Sequence, residues 1–123
     1  MANRVPRTHA GGKWTKARYF SFIRGALRSA VNRYPVKHVA KKRAARQKKG
    51  GKRFEYLCAE CNKYYPNSQV EVDHIVPAGT LRSYEDLPKF VENLFCEPEG
   101  LQVLCKTCHQ LKTNAEREAR RKA

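Results

Sequence analysis

The chain has 123 residues, enough for one domain with a modest core and too few for two independent domains. Its 26 Lys and Arg outnumber its 11 Asp and Glu, and the net charge of +15 makes a polyanion such as nucleic acid the expected partner. The sequence contains no apolar run of the ~18 residues that span a membrane and no apolar secretory signal, so we expect an intracellular protein without a membrane partner.

Charge divides the chain into two parts. Residues 1–53 hold 17 of the basic residues and no acidic one, whereas residues 54–123 are nearly neutral. This pattern predicts a helical, nucleic-acid-binding arm over 1–53 and a separate body over 54–123, because clustered cations repel one another until a polyanion neutralises them. A solvated face is the competing interpretation of the basic segment 41–49. The residues predicted to contact phosphate are Arg24, Arg28, Lys41, Lys42, Arg43, Arg46, Lys48 and Lys49.

Within the arm, residues 1–13 mix Pro, Gly and basic residues without periodicity, which predicts a flexible tail. Apolar residues then recur every three or four positions over 14–34, which predicts a helix that Pro35 ends. A second helix is predicted over 37–49, before a pair of glycines. The aromatic residues of the arm either stack on nucleic-acid bases or pack as a helix face. They are Trp14, Tyr19, Phe20, Phe22 and Tyr34.

The body is predicted to alternate short strands and helices. Alternation of apolar and polar residues over 70–73 indicates a half-buried strand, and apolar residues at helical spacing over 84–95 indicate a helix. The full set is strands at 54–57, 70–73 and 101–104, helices at 84–95 and from 106 onward, and a turn at 98–100.

Four of the five cysteines form two Cys-x-x-Cys pairs, a spacing that lets one tight turn offer two thiolates to one tetrahedral ion. A closed shell of four sulfurs suits Zn²⁺, so we expect a structural zinc ion. Two unrelated redox pairs are the alternative. Cys96 is left over and is expected to be a small buried hydrophobe. The predicted zinc ligands are Cys58, Cys61, Cys105 and Cys108.

Asp73 and His74 lie between these pairs, and His109 directly follows the second pair. Hydrolysis of a phosphodiester needs a base to deprotonate water and a cation to stabilise charge on oxygen. Imidazole is mostly neutral near pH 7, and a carboxylate with an imidazole can hold a divalent ion. Strict strand alternation puts Asp73 and His74 on opposite faces, so the strand must end or bulge there if both address one phosphate. A surface pair and a hydrogen-bonding helix residue are the alternative interpretation.

The stretch from Cys58 to Thr113 carries its motifs in order: Cys-x2-Cys, Val-Asp-His-Ile-x-Pro, and Leu-x-x-Leu-Cys-x2-Cys-His-x2-Lys-Thr. In these motifs the chain resembles the zinc-knuckle branch of the HNH endonuclease family, and most of all the small HNH proteins of tailed bacteriophages. The resemblance implies an α+β fold with a ββα-metal (HNH) core stapled by a four-cysteine zinc site. It also implies metal-dependent hydrolysis of DNA phosphodiester bonds, by nicking or double-strand cleavage, leaving 5′-phosphate and 3′-hydroxyl ends. Implied further partners are phage terminase or packaging proteins, in a host cytoplasm.

Residue by residue, the resemblance implies that His74 is the general base and that Asp73 and His109 hold a catalytic divalent ion, which is Mg²⁺, Mn²⁺, Ni²⁺ or Zn²⁺. The family's central Asn falls at Gly100, where this chain departs from the pattern, and Asn93 is a candidate replacement. The competing interpretation is a non-catalytic, zinc-containing nucleic-acid-binding or packaging-accessory protein.

Overall fold

The computed structural model describes residues 4–51 and 53–122, which form a mixed α+β fold. Within these residues, none of the helices combines the length and apolarity needed to cross a bilayer. The helices are α1 (Lys16–Ala30), α2 (Pro35–Arg43), α3 (Leu87–Leu94) and α4 (Lys106–Lys122). The strands are β1 (Ala45–Gln47), β2 (Phe54–Leu57), β3 (Tyr64–Pro66), β4 (Val70–His74) and β5 (Leu101–Cys105).

The described residues divide into two compact units. The first combines residues 4–34 with Val76–Phe95, and the second combines residues 35–75 with residues 96–122. The boundary predicted between residues 53 and 54 therefore falls inside the second unit. The reason is that α2 and β1, which belong to the basic half of the sequence, make their contacts with β2, β4 and β5.

The first unit is built on α1 and α3. Thr15 caps α1 by accepting a hydrogen bond from the backbone N–H of Arg18 at 3.2 Å. One apolar face of α1 then packs through Phe20, which is 1% exposed, against Phe90, which is fully buried on α3. The predicted helix at 14–34 is thus confirmed for most of its length. A 3₁₀ turn at Val31–Arg33 follows it.

The second unit contains two antiparallel sheets. One has the strand order β1-β2-β3, and the other pairs β4 with β5 from Val70↔Cys105 to His74↔Leu101. Glu71 and Asp73 share the sheet face that meets α4, while Val70 and Val72 face the side of α2. This two-stranded sheet positions the side chains that were expected to carry chemistry.

The basic segment after Arg43 is a strand rather than the continuation of a helix. The helix predicted over 37–49 ends at Arg43, and β1 pairs with β2 in a register that sets Arg46 opposite Glu55. The Arg46 Nε donates to Glu55 Oε1 at 2.7 Å, and the guanidinium lies 3.3 Å from the ring centroid of Tyr64. Tertiary pairing therefore overrides helix propensity here. Strand β3 was not predicted.

The start of the described chain is also more ordered than the tail predicted over 1–13. The backbone N–H of His9 donates to the carbonyl of Trp14 at 3.0 Å, and that of Trp14 donates back at 3.0 Å. Between them, Gly11 and Gly12 take positive φ angles of 67° and 81°, which glycine adopts without strain. Residues 1–3 of the predicted tail lie outside the described residues.

We expect Phe90→Ala to lower the free energy of unfolding by about 3–5 kcal/mol, because it removes a fully buried ring and leaves a cavity. Val91→Ala, at the neighbouring and 38% exposed position, should cost under about 1 kcal/mol. Urea titration followed by circular dichroism measures both variants. Equal losses of stability would contradict the packing described for α3.

Candidate functional site

The four paired cysteines meet at one point of the second unit. Cys58 directly follows β2, Cys105 ends β5, and Cys108 lies on the first turn of α4. A tight turn in which Asn62 takes a φ of 59° brings Cys61 to the same place, and the backbone N–H of Asn62 donates to the carbonyl of Cys58 at 2.9 Å. The four sulfurs lie within 4.8 Å of one another, so they could hold a metal ion such as zinc.

Hydrogen bonds among these thiols shift their acidity in opposite directions. Burial acts to raise the pKa of Cys58, but backbone N–H groups aimed at its sulfur outweigh burial and lower that pKa. A hydrogen bond with Cys105 and burial raise the pKa of Cys108 to about 12. The hydroxyl of Tyr65 lies 3.3 Å from the sulfur of Cys61. The thiols of the cluster therefore hydrogen-bond to one another. A bound thiophilic cation would displace their protons.

Cys96 stands apart from this cluster. It is half-buried, and burial raises the pKa of its thiol. A Cβ built on Gly100 would lie 2.7 Å from the Cys96 sulfur and 3.0 Å from the Cys96 Cβ. Any side chain at position 100 would therefore displace Cys96. Asn93, the predicted replacement for the missing asparagine, lies on α3 in the first unit.

Two of the three predicted catalytic residues come together on the α4 side of the sheet. The His109 Nε2 lies 3.7 Å from Asp73 Oδ1, and its Nδ1 lies 2.9 Å from Glu71 Oε2. Glu71 was not predicted as a site residue, although strand alternation already puts it on the face of Asp73. The imidazole of His109 is therefore held between two carboxylates of β4.

Lys112, one turn beyond His109 on α4, ties this group together. Its Nζ lies 2.9 Å from Asp73 Oδ2 and 2.6 Å from Glu116 Oε1, and it donates to the backbone carbonyl of His74 at 2.8 Å. Burial acts to lower the pKa of Lys112, but the hydrogen bonds to Glu116 and Asp73 outweigh burial and raise it. Gln102 Nε2 also donates to Asp73 Oδ2, at 3.0 Å. Asp73 is thus fixed in orientation by two donors.

His74 is the last residue of β4, and its side chain lies on the face of the sheet opposite to that of Asp73. Strand β4 ends at His74, as one of the two predicted alternatives had it, but without a bulge, because His74 pairs with Leu101 and the N–H of Ile75 still donates to the Gly100 carbonyl at 2.9 Å. The side chains of Asp73 and His74 therefore point to opposite faces. The carbonyl of His74 faces away from β5, toward Lys112.

Three of the eight side chains that were predicted to contact phosphate form ion pairs or hydrogen bonds within the protein. Arg43 and Arg46 form ion pairs with glutamates, at 3.2 Å and 2.7 Å, and Lys41 donates to Asn67 Oδ1. The remaining five are exposed, and no ion pair involves them in the part of the chain that the structure describes. They are Arg24, Arg28, Lys42, Lys48 and Lys49.

The second unit therefore carries two groups of polar side chains of different chemistry. The cysteine quartet offers four sulfurs. Among the described residues, it is the one group of three or more His, Cys, Asp or Glu side chains whose ligand atoms lie close enough together to hold a metal ion. Asp73 and His109 bring one oxygen and one nitrogen to within 3.7 Å of each other, and His109 directly follows Cys108 in the first turn of α4. Comparison of the chain with protein-family models, with curated proteins and with solved structures finds no match.

We expect the reduced protein to bind one zinc ion, and Cys58→Ser to abolish that binding because one of the four sulfur ligands is lost. Cys96→Ser is the matched control and should keep the full zinc content. Elemental analysis of the purified proteins measures both. Zinc loss from the Cys96 variant alone, or its retention in the Cys58 variant, would contradict the assignment.

Proposed function

We propose that this chain is a metal-dependent DNA endonuclease of the HNH type, as its motifs between Cys58 and Thr113 suggest. In this proposal His74 is the general base, Asp73 and His109 hold the catalytic divalent ion, and the cysteine quartet holds structural zinc. The observation that carries the proposal is the approach of His109 Nε2 to Asp73 Oδ1, 3.7 Å apart on adjoining elements.

The separation of these two atoms suits ligands of a single ion. Metal–nitrogen and metal–oxygen bonds of about 2.0–2.2 Å allow two ligands of one ion to lie 3–4 Å apart. A bound divalent ion would stabilise charge developing on the phosphate oxygens. Glu71 accepts the Nδ1–H of His109 in this arrangement, which leaves the Nε2 lone pair directed at the ion. Lys112 and Gln102 hold the Asp73 carboxylate in place.

His74 must reach the same phosphate from the other face of the sheet. The sheet has two strands, so β4 has no strand partner on its outer edge in the described part of the chain. We therefore position the scissile phosphate across that edge, where the carbonyl of His74 and the ammonium of Lys112 already meet. From the edge, an imidazole on one face and a metal ion on the other can flank one phosphorus atom. His74 would then take the proton of the attacking water.

We expect His74→Ala to slow the cleavage of supercoiled plasmid DNA by about 100-fold or more, because it removes the base. His38→Ala, an exposed histidine on α2, is the matched control and should cleave at the normal rate. Nicked and linear products are separated on gels in the presence of Mg²⁺, Mn²⁺ or Ni²⁺. Undiminished cleavage by the His74 variant, with its zinc retained, would exclude the base assignment.

Measurements of metal binding test the proposed ligand roles of Asp73 and His109 independently of cleavage. Asp73→Asn and His109→Ala should each weaken Mn²⁺ binding in calorimetry, whereas His74→Ala should leave it unchanged because the base does not touch the ion. Zinc content again controls for the fold. If all three variants bind Mn²⁺ as the parent does, the proposed ligands are wrong.

A second candidate is a non-catalytic nucleic-acid-binding or packaging-accessory protein. The close packing of Gly100 against Cys96 favours it, because the asparagine of the family pattern has no room at this position. The two candidates differ in a single measurement. A protein that binds DNA and both metals but cleaves nothing with any divalent ion would be the accessory protein.

The basic residues supply the DNA affinity in either case. Deleting residues 1–50 is a poor test, since Phe20 belongs to the core of the first unit. We instead expect Lys42→Gln, Lys48→Gln and Lys49→Gln together to reduce the slope of log affinity against log salt by about 2 to 3, through lost phosphate contacts. A triple control with equal charge change is Lys63→Gln, Lys89→Gln and Lys106→Gln. An equal change in both triple variants would show that net charge, not this segment, sets the affinity.

A further inference from the structure

An aromatic cluster at the start of α1, made of the half-buried Trp14 and the exposed Phe22, is not used by the proposed cleavage chemistry. The rings of Trp14 and Phe22 lie 5.2 Å apart between centroids, and the Arg18 guanidinium lies 5.1 Å from the centroid of the Trp14 ring. Arg18 and Phe22 lie four residues apart on α1, and Trp14 directly precedes the N-cap residue Thr15, so the three side chains follow one another from the approach to the helix onto its outer face. We call Trp14, Arg18 and Phe22 the aromatic stripe.

This stripe lies opposite the face of α1 that packs in the core. Phe20, Ile23 and Leu27 point into the first unit, whereas Phe22 remains 61% exposed. A helix in a folded protein ordinarily carries polar residues on its outer side. Packing within the first unit therefore does not explain the Phe22 ring at this position. Beside it, nothing from the rest of the described protein lies within 4 Å of the place where a Cβ on Gly25 would stand. The surface next to Phe22 is open.

The positive charge around the aromatic stripe indicates which kind of ligand would bind there. Helix α1 contains Lys16, Arg18, Arg24 and Arg28 and no acidic residue, so it attracts a polyanion. A cationic surface that also presents flat rings and a stacked guanidinium matches unpaired nucleotides, whose bases stack on the rings while their phosphates meet the cations. In a duplex the bases already stack on one another and cannot reach the rings.

We propose that the aromatic stripe binds unpaired bases of single-stranded DNA. The inference rests on the proposed nucleic-acid partner and is independent of the cleavage step. It assigns the first unit a role in holding single-stranded DNA, such as that next to a junction, gap or nick. Binding is carried by the stacking of one or two bases on Phe22 and Trp14, with Arg18 adding a cation next to the rings.

The experiment uses the full chain and an oligo(dT) of about 15 nucleotides without added divalent ion, so that no cleavage occurs. Anisotropy of a labelled oligonucleotide measures affinity. In a separate titration, the emission of Trp14, the one tryptophan of the chain, reports stacking at the stripe itself. We expect Trp14 emission to be quenched, and Phe22→Ala to weaken binding by at least about fivefold, the loss of one stacked base.

Phe54→Ala is the matched control. Phe54 is also aromatic and exposed, at 55%, but it lies on β2 in the second unit, and we expect its loss to change affinity less than about twofold. Arg18→Gln should weaken binding further than Arg18→Lys, because lysine keeps the charge but loses the planar stacking group. Circular dichroism confirms that the helical content of each variant is unchanged.

Unchanged Trp14 emission at saturating oligonucleotide, equal loss for Phe22→Ala and Phe54→Ala, or equal quenching by duplex DNA would each overturn the inference. A dimer in sedimentation that dissociates in Phe22→Ala, with oligonucleotide binding intact, would overturn it in favour of self-association. Plasmid cleavage with divalent ion tests the endonuclease proposal separately. If the protein cleaves no plasmid but its Trp14 emission is still quenched by the oligonucleotide, the endonuclease proposal fails and single-strand binding stands. If it cleaves plasmid but shows no quenching, single-strand binding fails and the endonuclease proposal stands.

Discussion

The antiparallel pairing of β4 with β5 is the constraint on which the second unit depends. Val70 pairs with Cys105 at one end of the ladder, and His74 pairs with Leu101 at the other. This register fixes which residues face α4, and because α4 begins where β5 ends, it also fixes the distance from the first turn of α4 to Asp73. A shift of one residue would turn every side chain of β4 to the other face. The position of Cys105 in the cysteine quartet and the approach of His109 to Asp73 therefore depend on the same few backbone hydrogen bonds.

The cysteine quartet also forms much of the buried centre of this unit. Its buried cluster consists of Cys58, Leu104 and Cys105, with Tyr65 and the other two paired cysteines packed against it. Apart from the cysteines, Leu104 and Tyr65 are the side chains that this cluster draws from the described residues, so its apolar packing is small. A unit of this size gains stability when a metal ion replaces the protons, since metal binding is then part of the folding free energy. The chelated ion would stabilise β5 and α4 together.

Local sequence patterns predicted the elements that local physics determines. The alternation over 70–73, the paired cysteines and the helix from Lys106 are all found where the sequence put them, because each depends on neighbours in the chain. The segment 45–47 was predicted wrongly, since its strand exists through pairing with β2, which helix propensity does not register. Strand β4 ends at His74, one of the two alternatives expected there, but its register is regular up to that residue, so Asp73 and His74 still alternate between the two faces.

The contacts of the site were harder to predict than its residues. Glu71 shares a face with Asp73 by simple alternation, but its contact with His109 depends on how α4 crosses the sheet. Lys112 reaches Asp73 and the His74 carbonyl only in three dimensions. The tight approach of Gly100 to Cys96 likewise belongs to the folded chain, and it gives a physical reason for a glycine where the motif has asparagine.

Charge is distributed in the chain at two length scales. Seventeen basic residues in the first 53 positions create a field that attracts a polyanion from a distance, although salt screens it beyond about 8 Å. The α4 side of β4 instead gathers Glu71, Asp73 and Glu116, so this small region is acidic within a cationic protein. A phosphate chain approaching that region would be repelled unless a cation stood between them. Lys112 provides one such charge. In the proposed function, a divalent ion between Asp73 and His109 would provide the rest, and DNA binding and metal binding would then reinforce each other.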